Sequence, residues 1–135
     1  MNVVQMLMIS REEILLITEP SEPKRGEIWI VNLGSTVGTE MKKSRPTVVI
    51  NSDGVGKLPI KLIAPITDWK QNYVNNLWHV KLVPNKSNGL SKISAVDALQ
   101  IRGVDKKRLI KKIGFLSATE MQEIVTAVAL VIDYQ

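Results

Sequence analysis

Between residues 26 and 115 the sequence consists of short apolar segments that are separated by glycine, proline, asparagine and aspartate. Segments that alternate apolar and polar residues, or that are rich in β-branched residues, are typical of strands. The predicted strands are 27–33, 46–52, 60–67, 78–83, one or two within 95–104, and 109–115. Pro65 interrupts the third strand, so we expect the end of this strand to lie at a bulge or at the edge of the sheet, because proline has no N–H to donate to a neighbouring strand.

The final part of the chain predicts a long helix. Ser117 and Glu120 fit the S-x-x-E form of a capping box, which starts a helix. Apolar residues then follow at helical spacing and form one stripe: Met121, Ile124, Val125, Val128, Val131 and Ile132. Short strands followed by one helix favour a mainly β member of the α+β class, with the helix packed on a strongly bent sheet or a partly closed barrel.

Residues 1–23 differ from the rest of the chain in charge. They have a net charge of −3, whereas residues 24–135 have a net charge of +8. Ser10 and Glu13 form another predicted capping box, and Pro20 and Pro23 end the helix that follows it. We therefore interpret 1–23 as an N-terminal extension or linker and 24–135 as one domain. The contrast in charge leads to the hypothesis that the extension folds over a basic groove of the domain.

The sequence gives no indication of export or membrane insertion. Residues 1–9 are apolar, but no lysine or arginine precedes them and no small-residue cleavage site follows, so a signal peptide is not predicted. No stretch approaches the roughly 20 apolar residues of a membrane span. We expect a cytoplasmic protein that does not bind membranes.

The residue types that are missing exclude several classes of enzyme. The chain has no cysteine and one histidine, His79, which excludes thiol catalysis, disulfides and metal sites built from cysteine or from several histidines. Neither a G-x-x-x-x-G-K-[ST] loop nor a G-x-G-x-x-G motif occurs, so we expect no nucleotide cofactor and no metal. The net charge of +5 instead indicates a polyanionic partner, with nucleic acid as the leading interpretation.

Cleavage of RNA by its own 2′-hydroxyl is a reaction that needs no protein nucleophile. It requires positioning, stabilisation of negative charge on the phosphorane, and proton transfer. Glu40 and Arg45 lie in a basic, glycine-bearing loop, and Thr67 ends an apolar strand. The same residues also fit a solvated loop and a turn former. Trp69 and Tyr73 follow in a polar loop, where they either stack on unpaired bases or fold onto the body of the protein.

Six short motifs occur in order along the chain. They are 24–29 (KRGEIW), 38–40 (GTE), 45–51 (RPTVVIN), 64–67 (APIT), 100–102 (QIR) and 104–109 (VDKKRL). Together they resemble the MazF/PemK family of toxins, over about residues 24–135. The resemblance implies an SH3-like, partly closed β-barrel with a C-terminal helix, as in the MazF, PemK and CcdB toxins, and usually a homodimer.

The resemblance also implies an activity and partners. The activity is that of a sequence-specific, metal-independent endoribonuclease, an mRNA interferase, which cleaves single-stranded RNA to leave a 2′,3′-cyclic phosphate and a 5′-hydroxyl. The partners are single-stranded RNA and a cognate antitoxin protein that neutralises the toxin. Operator DNA is bound only through the toxin–antitoxin complex, which represses its own operon.

The resemblance assigns roles to individual positions. Arg45 matches the family's catalytic arginine, Thr67 its catalytic threonine or serine, and Glu40 a loop carboxylate that acts as base or orients Arg45. Gln100 and Arg102 match another string of the family and are interpreted as scaffold. The candidate RNA-binding residues are Thr39, Lys42, Lys43, Lys57, Trp69, Tyr73 and His79.

Three positions depart from the family's pattern. Thr39 stands where the family usually has serine or histidine, Met41 where it has glutamine, and Leu99 where it has an acidic residue. Because Leu99 cannot transfer a proton, the alternative function is a non-catalytic binder on the same fold, either a degenerate toxin or a gyrase-inhibitor-like protein. The gyrase interpretation is the weaker one, because it predicts an aromatic pair at the C-terminus, and residues 133–135 contain no tryptophan.

Overall fold

The computed structural model describes residues 22–34, 37–40 and 43–134. Within these residues the chain forms seven strands and one α-helix. They are β1 Glu27–Asn32, β2 Ser44–Val49, β3 Ile60–Asp68, β4 His79–Leu82, β5 Ser94–Asp97, β6 Arg102–Asp105, β7 Leu109–Phe115 and α1 Ala118–Val131. Each predicted strand is present with small shifts at its ends, and 95–104 contributes to two of them. The helix predicted within 1–23 lies outside the described residues.

The strands form one antiparallel sheet in the order β4-β5-β3-β2-β1-β7, with β6 beside β3. β3 is its central strand. On one side it pairs with β2, and on the other it pairs with β6 along its first half and with β5 along its second half. This mainly β architecture with a C-terminal helix confirms the predicted fold class, a partly closed barrel of the SH3-like kind. In the described part of the chain, no helix is long and apolar enough to cross a membrane.

β5 and β6 form one antiparallel run along β3 that residues 98–101 interrupt. The pairing with β6 ends at Ile63 and the pairing with β5 begins at Ile66, so 98–101 bulge out between them. The nitrogen of Pro65 faces this side of β3, because the hydrogen-bonding direction alternates along a strand. Pro65 therefore faces the gap between β5 and β6, where β3 has no backbone hydrogen bond to donate. The predicted bulge is present beside Pro65, and β3 runs past it to Asp68, one residue beyond the predicted end of the strand.

The two faces of the sheet bury separate sets of side chains. In β1 to β5, even-numbered residues face the main core, to which α1 also contributes. This core includes Ile28, Val48, Ala64, Ile66, Val80, Val96, Met121, Ile124 and Ala127. Odd-numbered residues of the central strands form a smaller cluster on the other face, with Trp29, Val31, Leu33, Val49 and Ile63. Arg45 and Thr67 have odd numbers and belong to this second face, which we call the odd face.

The capping box at the start of α1 is confirmed. The Ser117 hydroxyl accepts from Glu120 N, and the Glu120 carboxylate accepts from Ser117 N. The predicted apolar stripe needs a correction, because Val125 is 37% exposed and Ile132 is 62% exposed. Val125 lies about 100° around the helix from buried Ile124, and Ile132 follows the last residue of α1.

Gly114 lets β7 lie against the loop that precedes β5. A Cβ at this position would lie 2.3 Å from Ser87 O and 2.4 Å from the carbonyl carbon of Asn88. The loop has little freedom to move away, since the buried Asn88 side chain donates to Val83 O at 2.9 Å and accepts from Leu90 N at 3.0 Å. Residue 114 must therefore be glycine for the loop to keep this position.

We expect Gly114→Ala to lower the free energy of unfolding by about 3 kcal/mol, because the added methyl group overpacks a fixed backbone contact. Urea denaturation followed by circular dichroism measures the change. Gly54→Ala is the control, since its Cβ meets only the Ser52 hydroxyl at 3.2 Å. Equal stability of the two variants would contradict this account of Gly114.

Glu22 and Pro23 join the preceding segment to the sheet. Pro23 is buried, and the Glu22 carboxylate lies 2.7 Å from Nζ of Lys61 and 3.4 Å from Nζ of Lys106. Lys61 is only 2% exposed, which is unusual for a lysine and requires a partner charge. The hydrogen bond from Lys61 lowers the pKa of Glu22, and the charges of Lys61 and Lys106 act in the same direction.

We expect Glu22→Gln to destabilise the protein by about 1–3 kcal/mol at neutral pH, because Lys61 keeps a buried charge without its partner. The pKa of Glu22 is lower in the folded protein than its ordinary value of 4.5. The carboxylate therefore stabilises the fold above pH 4.5, and this stabilisation is lost as the pH falls through the lower, folded value. Denaturation at a series of pH values should show the two proteins converging in acid. Asp68→Asn, which removes an exposed pair with Lys92, is the control and should change stability little.

Candidate functional site

Arg45 and Thr67 lie in one row of side chains that crosses the odd face of the sheet. Thr47 and Pro65 are the last partners in the pairing of β2 with β3, and Arg45 and Thr67 stand two residues beyond them on the same face. The guanidinium and the hydroxyl therefore flank the same end of this pairing, on neighbouring strands. The row continues through the pairs Thr67–Ala95 and Ala95–Lys81. In order, the row consists of Arg45, Thr67, Ala95 and Lys81.

The next row contains His79 and a buried carboxylate. His79 pairs with Asp97 across β4 and β5, and its Nε2 lies 3.7 Å from Asp97 Oδ2. Both side chains are less than one-tenth exposed. Burial lowers the pKa of His79, and the Asp97 charge opposes this effect only in part. The imidazole is therefore neutral at pH 7.

Aromatic rings from the β3–β4 loop cover this part of the odd face. The Tyr73 ring stacks on the His79 ring with centroids 3.7 Å apart and planes at 10°. Trp69 meets Tyr73 edge to face at 5.9 Å, and Lys81 Nζ lies 5.1 Å from the centre of a Trp69 ring. We call Trp69, Tyr73 and His79 the aromatic stack. Both loop residues fold against the sheet and still keep part of their surface exposed.

Glu40 lies in a tight turn of the β1–β2 loop. Its Oε1 accepts from Val37 N at 2.5 Å, and its own N–H donates to Val37 O at 3.2 Å. Two arginines hold the start of this loop, because Arg102 donates to Leu33 O at 3.5 Å and Arg108 to Asn32 O at 3.3 Å. Arg102 thus makes a structural contact, in keeping with the scaffold role that the sequence predicted.

Two clefts open beside the row that contains Arg45 and Thr67. Thr67 lines one of about 400 Å³, together with Pro46, Asp68 and Lys92. The other, of about 240 Å³, is lined by Leu33, Glu40, Pro65, Leu99, Gln100, Ile101 and Arg102. Glu40 and Thr67 therefore line different clefts, and β3 connects them through Pro65, two residues before Thr67. Among the described residues that line the second cleft, Glu40 alone carries a carboxylate.

The other predicted RNA-binding residues fall in different places. Thr39 and Lys43 are exposed in the β1–β2 loop, and the Lys43 backbone has a φ of 69° while its carbonyl accepts from Leu33 N. Lys42 lies outside the described residues. Lys57 is exposed before the first residue of β3, next to Glu22, so about 20 Å of strand separates it from Thr67. The structure does not bring Lys57 to the row of Arg45 and Thr67.

Two residues of this face were not among the predicted site residues. Lys81 lies two positions after His79 and points to the same face, so the alternation of β4 already contained a signal for it. Asp97 had no such signal, because it stands in an apolar segment and its contact with His79 depends on the pairing of β4 with β5.

The odd face presents a guanidinium, a hydroxyl, an ammonium group and aromatic rings on one surface. Hydroxyls and cations bind phosphates, and aromatic rings stack on bases. Within the described ranges, no three His, Asp or Glu side chains come together in a group that would hold a metal ion. The fold is a small, partly closed β-barrel, and its odd face carries the kinds of side chains that nucleic-acid-binding proteins use.

Comparison with known proteins identifies the family. Residues 24–132 match the family described as "PemK-like, MazF-like toxin of type II toxin-antitoxin system". The relative "Endoribonuclease MazF" of Staphylococcus epidermidis is 36% identical over 105 residues, which are 77% of this chain and 86% of that protein. The chain belongs to the PemK/MazF family of toxins.

Solved structures of the family share the fold. MazF from Deinococcus radiodurans matches with a TM-score of 0.69 and 19% identity, over 84% of this chain and 99% of that chain. An endoribonuclease from a mycobacterial species, solved in complex with its cognate antitoxin, matches with a TM-score of 0.67 and 18% identity, over 84% and 97% of the two chains.

Proposed function

We propose that this protein is an endoribonuclease toxin of a type II toxin–antitoxin system and that it cleaves single-stranded mRNA without a metal ion. The observation that carries the proposal is the position of Arg45 and Thr67 on the odd face, each two residues beyond the last pair of β2 and β3, Thr47 and Pro65. The 36% identity to a protein named endoribonuclease MazF supports the same activity.

The reaction that we propose is attack of the 2′-hydroxyl oxygen on the adjacent phosphorus. A bond forms between these atoms, the bond from phosphorus to the 5′-oxygen breaks, and the products are a 2′,3′-cyclic phosphate and a 5′-hydroxyl. Arg45 stabilises the additional negative charge of the phosphorane, and Thr67 donates its hydroxyl to a non-bridging oxygen. Arg45 acts by its charge, since a guanidinium keeps its protons in proteins and is a poor proton donor.

Two proton transfers complete this reaction, one from the 2′-hydroxyl and one to the 5′-oxygen. Glu40 is the proposed acceptor of the first proton, because it is the carboxylate of the cleft on the other side of Pro65. Leu99 lines the same cleft and is 55% exposed, so the family's acidic residue has no equivalent at this position. Water supplies the second proton in our proposal.

RNA binding involves the residues that surround this row. We propose that Trp69 and Tyr73 stack on unpaired bases and that Lys81, Lys43 and Thr39 contact phosphates. Lys42 belongs to the same loop and has the same proposed role. In our proposal His79 acts through Tyr73, and Lys57 contacts a more distant part of a long RNA.

The partners that we propose follow from family membership and from the mycobacterial complex. They are a cognate antitoxin, a second copy of the chain in a homodimer, and operator DNA through the toxin–antitoxin complex. The toxin domain is residues 24–135, with 1–23 as its extension, and the proposed location is the cytoplasm.

The proposed activity is tested with long, protein-free RNA and the purified protein in EDTA, followed by mapping of the cut ends. We expect cuts at a short recurring sequence, with 2′,3′-cyclic phosphate and 5′-hydroxyl ends. Binding of RNA by a folded protein without any cleavage would contradict the proposal and favour a degenerate toxin, which the exposed Leu99 makes the second candidate.

A further inference from the structure

Asp97 is a buried carboxylate for which the proposed reaction has no use. It is 6% exposed, at the end of β5, where the bulge 98–101 begins. Its Oδ1 accepts from Leu99 N at 3.0 Å, and its Oδ2 accepts from Gln100 Nε2 at 3.1 Å. Aspartate is rarely buried without a set of partners that require its charge. A single carboxylate thus holds two residues of the wall of the 240 Å³ cleft.

The same carboxylate faces a histidine whose tautomer is determined by its neighbours. Asn76 Nδ2 lies 3.1 Å from His79 Nδ1, and an amide nitrogen only donates, so Nδ1 is the acceptor. In the neutral imidazole the proton is then on Nε2, which lies 3.7 Å from Asp97 Oδ2. This distance is longer than a hydrogen bond, but the negative charge of the carboxylate favours the proton on the nearer ring nitrogen. Asn76 and Asp97 thus favour the same tautomer from opposite sides of the ring.

The orientation of His79 determines the position of Tyr73. The two rings are nearly parallel, and 3.7 Å is a direct stacking contact. Tyr73 belongs to a short helical turn, Gln71–Tyr73, and its N–H donates to Lys70 O while its carbonyl accepts from Asn76 N. These bonds fix the backbone of Tyr73, whereas the orientation of its ring depends on side-chain contacts, of which the stack on His79 is the closest ring contact. The ring on which Tyr73 rests is the one that Asp97 orients.

We propose that Asp97 is a positioning residue for RNA binding, which holds His79 in its Nε2–H tautomer and thereby fixes Tyr73 as a stacking platform for a base. This inference rests on the proposed function, because it takes RNA as the ligand. Asp97 does not replace the missing carboxylate at Leu99, since it is buried and its oxygens face Leu99 N, Gln100 and His79.

A purely structural role for Asp97 has a matched control in the same chain. Asp105 accepts from Lys107 N at 2.8 Å and caps the turn Lys106–Arg108, just as Asp97 caps the turn Ala98–Gln100. Asp105→Asn therefore tests the loss of a capping carboxylate alone.

The first measurement is the ¹⁵N spectrum of the imidazole in untagged protein, where His79 gives the only histidine signals. Asp97→Asn keeps the side-chain shape but places an N–H₂ donor against two donors, Gln100 Nε2 and His79 Nε2. We expect Nε2–H signals in the wild type and in Asp105→Asn, and a changed tautomer pattern in Asp97→Asn. An unchanged pattern in the folded Asp97→Asn protein would overturn the proposal.

The second measurement is binding of a fluorescein-labelled single-stranded RNA that contains the mapped cleavage sequence, with 2′-deoxyribose at the cut position to prevent cleavage. We expect Asp97→Asn to raise the Kd about fivefold to tenfold and Tyr73→Ala to raise it about tenfold or more, with Asp105→Asn unchanged. On cleavable RNA, Asp97→Asn should raise KM and leave kcat within about twofold. A stacking platform binds the RNA equally well in the ground state and in the transition state, so its loss weakens binding without slowing the bound complex.

The outcomes separate this inference from the proposed function. If Tyr73→Ala weakens binding but Asp97→Asn does not, RNA binding at the aromatic stack stands and the role of Asp97 is refuted. If Tyr73→Ala has no effect, the stack is not an RNA platform, and both this inference and that part of the proposed function fail. A fall in kcat with unchanged KM would place Asp97 in the chemical step and would also contradict the proposal.

Discussion

Arg45→Ala is expected to lower the rate of RNA cleavage by about a thousandfold or more, while the protein stays folded. In the proposed reaction the phosphorane carries one more negative charge than the bound RNA, and Arg45 is the cation in the row with Thr67. An interaction that strengthens only as this charge develops affects kcat more than KM. Arg45 is the second residue of β2, is only half buried and belongs to neither hydrophobic cluster. Its truncation therefore leaves the packing on both faces of the sheet intact.

Single-turnover cleavage of a defined RNA measures this effect. Arg45→Lys is the informative second variant, because it keeps the charge but loses the two-pronged geometry of the guanidinium, and we expect it to recover only part of the rate. Lys86→Ala, which removes an exposed charge from the loop before β5, is the control and should cleave like the wild type. Full activity of a folded Arg45→Ala protein would rule out the proposed site.

Thr67→Val is expected to lower kcat by about a hundredfold, because valine has the shape of threonine but no hydroxyl to donate to the phosphorane. Thr67 pairs with Ala95 in the interior of the sheet and lines the 400 Å³ cleft, so the substitution removes one donor and conserves the packing. Thr67→Ser retains the hydroxyl and should recover most of the rate. Rates at saturating RNA give the comparison.

The control for Thr67 is Thr126→Val on the exposed side of α1. The Thr126 hydroxyl donates to Gln122 O within the helix, far from the odd face, and its loss should leave cleavage unchanged. If Thr67→Val cleaves as fast as Thr126→Val, the hydroxyl takes no part in the reaction. If Thr67→Ser is as slow as Thr67→Val, the effect comes from packing and the proposed donor role is wrong.

Most of the fold was predictable from local patterns. Alternation and β-branched runs located the strands, and the capping box at Ser117 located the start of α1, because these signals act between residues close in the chain. Pro65 showed where a ladder bond is missing. The sequence did not show how the neighbouring strand accommodates this proline, because that depends on a bulge in another part of the chain, 98–101.

The same division holds for the candidate site. The order of the motifs predicted the family, and with it Arg45 and Thr67 as candidates, since both stand in short strings of characteristic residues. Only strand pairing brings these two residues to the same end of the β2–β3 ladder, leaves Glu40 and Thr67 in different clefts, and puts Lys57 before the opposite end of β3. Asp97 is the clearest example of a site residue that sequence could not predict. Its partners on β4 and in the bulge become its neighbours only when the sheet forms. Sequence by itself determined which residue types the chain offers and in what order, whereas pairing between distant strands decided which of them meet.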